Sequence, residues 1–130
     1  IIWNRSTNKI TSLGKGITKL AFSSDSKKIA FATKAGSLSV YGIKDGAQEE
    51  KYILEGVSSP WTGIAGFFWH KDNNYLFLGD KQNKLYFVEV NDYPPVNAVE
   101  AATRIKNFTY SKDDGSLYFE DDTGVWRVKL

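Results

Sequence analysis

Phe22 to Phe31 reads FSSDSKKIAF, and the pattern returns as WHKDNNYLFL from Trp69 to Leu78 and as YSKDDGSLYF from Tyr110 to Phe119. Counted from the turn aspartates Asp25, Asp72 and Asp113, each copy carries its aromatic (Phe22, Trp69, Tyr110) three residues earlier. Four residues later stand Ile29, Leu76 and Leu117, and six later Phe31, Leu78 and Phe119. The match runs on without a gap to Leu38, Leu85 and Trp126, then to Val40, Phe87 and Val128. Upstream, Ile17, Ile64 and Ile105 lie eight residues before the aspartates. A repeat of 41 to 47 residues signals an array of similar units, none of which can bury its apolar face alone.

Within each unit the apolar period is two, the period of a strand with one buried face. Turn-forming clusters separate the runs: Ser23-Ser24-Asp25-Ser26, Lys34-Ala35-Gly36 and Lys44-Asp45-Gly46 in the first unit, with counterparts at 70–74, 80–83, 111–115 and 121–124. This spacing predicts a three-strand meander, a-b-c, in every unit. A less regular strand d precedes each one, over Ile1 to Leu13, Glu49 to Leu54 and Pro95 to Ala102. The repeat units are then about 1–44, 45–91 and 92–130, with twelve strands and almost no helix. Only Ala98 to Arg104 has helix-forming composition, and its place in the repeat predicts strand, since context overrides propensity in so short a run. Leu20, Phe22, Ile29, Phe31, Leu76, Leu78, Phe108, Leu117 and Phe119 are the expected core.

The phrase formed by an aromatic, then Ser or His, a variable residue, Asp and an alternating strand resembles the TolB-like, WD-repeat-like β-propeller blades of bacteria. The likeness covers nearly the whole chain. The chain departs from that pattern in having no proline before the aspartate. It also has no Trp-Asp ending to strand c and no Gly-His pair, which sets it apart from eukaryotic WD repeats. A second likeness is to the propeller part of bacterial surface proteins that carry PEGA modules. The resemblance implies an all-β fold: a β-propeller arc of three four-stranded antiparallel blades, half of a six-bladed ring. Propellers close with four to eight blades, so an open arc leaves strand edges that invite pairing. Two closures follow: a homodimer in which each copy lends its first strand d to the other's last blade, or docking to further blades of a longer parent chain.

At 130 residues, 42% apolar and 15% aromatic, the chain has enough apolar material for a core. It has no methionine, which leads us to expect a piece of a longer protein. No apolar run reaches membrane-spanning length. The absence of cysteine removes disulfide and thiolate chemistry and is compatible with an oxidising compartment. Together with the bacterial resemblance, this sets the expectation of an extracytoplasmic location, periplasmic or at the cell surface. The 17 basic and 15 acidic residues give a net charge of +2 and are interspersed, without the clustered basic surface that nucleic-acid binding needs.

His70 is the only histidine, occupies the turn place of Ser23 and Ser111, and has no second histidine or cysteine to share a metal. No Gly-x-Ser-x-Gly elbow accompanies it. Asp113, Asp114, Glu120, Asp121 and Asp122 are a conceivable oxygen set for calcium, but they fall at turns and form no D-x-D-x-D-G loop. Gly14-Lys15-Gly16 leads into a strand, whereas a phosphate loop leads into a helix. No metal or cofactor is expected, and the chain is expected not to be an enzyme.

Trp61, in the longest of the three d-to-a connections, has no aromatic counterpart in the other units. Packing favours a plug folded over the blade, and a loop-borne binding anchor is the functional alternative that the rim prediction takes. In a propeller the d–a and b–c loops share one face. Lys15, Lys34, Trp61, Lys81, Gln82, Arg104, Asp121 and Asp122 thus form the expected binding rim. The functional expectation is a non-catalytic interaction or scaffold module that binds a protein partner or a cell-surface glycan. The alternative is the regulatory propeller of a hydrolase such as a peptidase.

Overall fold

The structure, a computed structural model, describes residues 2–4, 9–43 and 50–129, with side chains described from Ser12 onward. Among the described residues every regular element is a β-strand. The first sheet holds β3 (Ile17–Phe22), β4 (Lys28–Thr33), β5 (Leu38–Gly42) and β6 (Lys51–Val57), paired in that order. The second holds β7 (Gly66–Trp69), β8 (Tyr75–Gly79), β9 (Leu85–Glu89) and β10 (Ala98–Ala102) in the same arrangement. The third holds β11 (Asn107–Ser111), β12 (Ser116–Asp121) and β13 (Gly124–Lys129). All neighbours are antiparallel.

The expected single strand over Ile1 to Leu13 is replaced by a short hairpin, β1 (Ile2–Asn4) paired with β2 (Lys9–Thr11). Among the described residues the third sheet has no fourth strand, so the outer edge of β13 is unpaired. The predicted Lys44-Asp45-Gly46 turn lies outside the described residues, as does Glu49.

Register assigns the faces. Ala21, Ala30, Val40 and Leu54 are successive cross-strand partners and meet Phe67, Trp69, Leu76, Leu78 and Val88 of the second sheet in one core. Small side chains on the first sheet thereby receive the large ones of the second. Phe68, Phe77 and Phe87 project from the opposite face of the second sheet. There they join Phe108, Tyr110, Leu117 and Phe119 of the third in a separate core.

Two expected core residues are corrected. Leu20 and Phe22 are 57% and 52% exposed. Their repeat equivalents, Phe67 and Trp69, then Phe108 and Tyr110, point toward the preceding sheet, and among the described residues no sheet precedes the first. Phe108 and Phe119 are half-buried, while Ile29, Phe31, Leu76, Leu78 and Leu117 are buried. Phe31 shares its face with Leu20, but the segment at Leu13 and Gly14 covers it. The Tyr52 hydroxyl donates to Leu13 O at 2.8 Å, and a Cβ on Gly14 would stand 3.7 Å from the Phe31 ring.

The two seams are held differently. Across the first, Trp61 Nε1 donates to Gly36 O at 3.0 Å and Trp69 Nε1 to Ala21 O at 2.9 Å, while Lys28 Nζ donates to Asn73 O at 2.7 Å. Across the second, rings dominate. His70 stacks on Tyr110 with centroids 5.4 Å apart, and Phe68 meets Phe108 edge-on at 5.3 Å.

Candidate functional site

Six residues before each repeat aspartate stand Lys19, Gly66 and Asn107, close to the start of the first strand in each sheet. At this end the d–a and b–c connections gather, as expected from blade order. Lys34 N donates to Gly16 O, Lys81 N to Thr62 O, and Ile105 N to Asn83 O across the second seam. A cavity opens here at each seam. The one between the first and second sheets, about 400 Å³, is lined by Thr18, Lys19, Thr33, Lys34, Gly66 and Lys81 among others. The one between the second and third, about 340 Å³, includes Lys19, Asp80, Asn83, Lys84, Lys106 and Asn107.

Lys19 belongs to both. Its Nζ donates to Phe67 O at 2.6 Å and lies 4.9 Å and 4.5 Å from the Phe67 and Phe68 ring centroids. Burial lowers the pKa of this amine from its ordinary value, because a desolvated ammonium loses hydration that ring faces only partly replace. In the second cavity the other charges are matched: Lys84 pairs with Glu100 at 3.4 Å and Lys106 with Asp122 at 3.2 Å. Asp80, 3% exposed, is fully engaged with backbone. Its Oδ1 accepts from Gln82 N and Lys84 N, both at 2.9 Å, and its Oδ2 from Thr62 N at 3.1 Å. It shapes the wall and ties the b–c turn to the d–a connection.

The expected rim is only partly assembled. Lys34 and Lys81 come together in the first cavity. Lys15, Gln82 and Arg104 are exposed and line neither cavity. Asp121 caps its own hairpin, its Oδ1 accepting from the Thr123 hydroxyl at 2.6 Å, Thr123 N at 2.8 Å, Gly124 N at 3.1 Å and Trp126 Nε1 at 3.0 Å. Trp61 is corrected from exposed anchor to plug. It is 3% exposed, bound to Gly36 O, and set edge-on to Tyr86 at 6.2 Å. Its ring is large enough to fill the gap over the first core, and only its N–H needed a polar partner. His70 is also buried, with Nδ1 2.9 Å from Asp72 Oδ1 and its ring among Tyr75, Phe77, Phe87 and Tyr110.

No sequence family matches the chain, and no curated protein does. Solved structures do. A Bacteroides uniformis protein assigned as a 6-phosphogluconolactonase matches 88% of the chain with a TM-score of 0.55 at 19% identity. A Bacteroides fragilis protein with the same assignment matches 95% with a TM-score of 0.59 at 17% identity. The periplasmic gluconolactonase of Pseudomonas aeruginosa matches 90% with a TM-score of 0.58 at 14% identity. The chain is an arc of a β-propeller. It covers 36%, 38% and 36% of those proteins, little more than a third of each.

The propeller fold that the resemblance implied holds for the arc. The neighbours correct two other expectations. The readings as a non-catalytic interaction or scaffold module, and as a chain without enzymatic activity, give way because all three neighbours are named for lactone cleavage. The physical reason is that a missing elbow, cysteine or second histidine removes only nucleophile-dependent ester cleavage. A lactone can be opened by water in a site that stabilises the charge it develops. Lys19, which lines both cavities, is the site residue the sequence reading passed over. Aligning the three repeats at that position, where the other units carry Gly66 and Asn107, marks it as the one charged residue of the three.

Proposed function

We propose that this propeller arc is part of a bacterial sugar-lactone hydrolase and that the cavities meeting at Lys19 contribute to its substrate cleft. The observation that carries this reading is the match of 88–95% of the chain to three solved propellers named as lactonases. The polar, lysine-bearing seams at the loop-rich end support it. In the reaction, water adds to the lactone carbonyl carbon, the carbonyl oxygen takes up negative charge, and the ring C–O bond breaks. The products are a carboxylate, an alcohol and a proton. A half-buried ammonium such as Lys19 stabilises the oxyanion and then the carboxylate, and its partial desolvation strengthens that interaction. Asp80 has both oxygens committed to backbone N–H groups and serves as framework.

The test is proton release from glucono-δ-lactone and from its 6-phosphate, corrected for spontaneous opening. The protein should accelerate at least one of them, and Lys19→Met should lower kcat by about 100-fold, the scale of losing one oxyanion donor. A rate equal to the spontaneous one with both lactones overturns the proposal.

A further inference from the structure

Nine residues after the repeat aspartates stand Lys34, Lys81 and Asp122. Blades one and two thus present lysine at equivalent places on their b–c turns, and blade three presents aspartate. The sign change separates the two seams. At the second, Asp122 neutralises Lys106 at 3.2 Å. At the first, Lys34 and Lys81 line the cavity of about 400 Å³ together with Lys19, and no carboxylate lines it. Among the described residues neither Lys34 nor Lys81 has an ion-pair partner within 4 Å.

Three lysines border one concave space, Lys19 half-buried and Lys34 and Lys81 exposed at its rim, and an anion held among their like charges is attracted by all three. The turns that carry Lys34 and Lys81 are also held in place. Lys34 N is bonded to Gly16 O and Lys81 N to Thr62 O. The Lys81 stem runs past Gly63, where a Cβ would stand 2.8 Å from Lys81 Cδ. The turn of Lys34 is fixed from behind by the Trp61 bond to Gly36 O. The hydroxyls of Thr18 and Thr33 are turned toward Ala32 O and Ser37, so the cations carry the recognition.

We infer that the cavity between the first and second blades, bordered by Lys19, Lys34 and Lys81, is an anion-binding site for the phosphate or carboxylate of a small ligand. Anion binding here requires no lactonase chemistry. Only the further step, that the anion is a substituent of the lactone, rests on the proposed function.

The test is titration of the protein with inorganic phosphate at constant ionic strength, followed by amide and lysine side-chain NMR. Saturable shifts centred on Thr18, Lys34 and Lys81 are expected. A Lys34→Gln/Lys81→Gln double variant, which keeps both aliphatic stems, should weaken phosphate binding at least tenfold, while Lys15→Gln should leave it unchanged. Shifts spread over all lysines, or an unaffected double variant, overturn the site. Two further arms separate the sources: gluconate 6-phosphate binding more tightly than phosphate supports a small-ligand site. Preferential binding of a polyanion such as heparin overturns the small-ligand assignment. Phosphate binding with no acceleration of lactone opening leaves the anion site standing and removes the lactonase reading alone.

Discussion

The Trp61 indole uses its one donor on Gly36 O and lays its ring against Tyr86, so its removal empties a packed site. Trp61→Ala should destabilise the chain by about 3–5 kcal/mol in urea unfolding. A change within about 0.5 kcal/mol, as at surface positions, would return Trp61 to the role of exposed anchor. Asp121 offers a pH test. The Thr123 hydroxyl, then the Trp126 indole and the neighbouring backbone N–H groups, hold its carboxyl at about 2, below its ordinary 3.8. A carboxylate depressed in the folded state stabilises the β12–β13 hairpin above its unfolded pKa, and the contribution disappears as pH falls through the folded value. The Trp126 Nε1–H resonance should therefore titrate with a midpoint near 2, and Asp121→Asn should abolish that titration. Turn acids were legible from the repeat, but not their exact bookkeeping. Asp25 and Asp72 accept from the N–H two residues on, whereas in the third blade the acceptor is Asp114, not the aligned Asp113. One residue moves within a tight turn without disturbing the strands on either side, so spacing alone does not reveal it.

At the scale of elements, Asp80 shows how a b–c turn is built. Its two oxygens satisfy three backbone donors on two segments. Asp80→Ala leaves these part-buried donors to water and should cost about 1–3 kcal/mol, with faster amide exchange at Thr62, Gln82 and Lys84. Substituting Gly79 by alanine should also destabilise, by about 1–3 kcal/mol. Its Cβ would fall on the Phe108 ring and push that ring out of the second seam, which loss of the Phe68–Phe108 ring contact in NMR would reveal. Strands a, b and c were readable because each buries one face and so alternates. The fourth strands β6 and β10 were legible from their place in the repeat and not from their period, because β6 carries only one buried residue, Leu54, and β10 none; the same weak period left the hairpin at β1 and β2 unread. The first cavity was hidden for a different reason. Its lysines come from two blades, and sequence order does not show that they border one space.

On the scale of the molecule, both flanks of the arc are apolar. Leu20 and Phe22 stand exposed on the first blade, and Val125, Trp126 and Val128 are 75%, 49% and 40% exposed on the last, beside an unpaired β13 edge. Monomers seldom leave such surface open, so light scattering at micromolar concentration should give a mass above 14.6 kDa that rises with concentration. Leu20→Lys/Phe22→Lys should shift the distribution toward the monomer, and a strictly monomeric parent chain would refute association through these flanks. The unequal seams have an optical consequence. Of the described indoles, Trp61 and Trp69 both sit in the first seam with their N–H groups bonded across it, while Trp126 is already half in water. In a Trp3→Phe chain, intrinsic fluorescence is therefore a gauge of the first seam: its emission reddens when blades one and two part, and stays nearly unchanged when the third blade alone swings away.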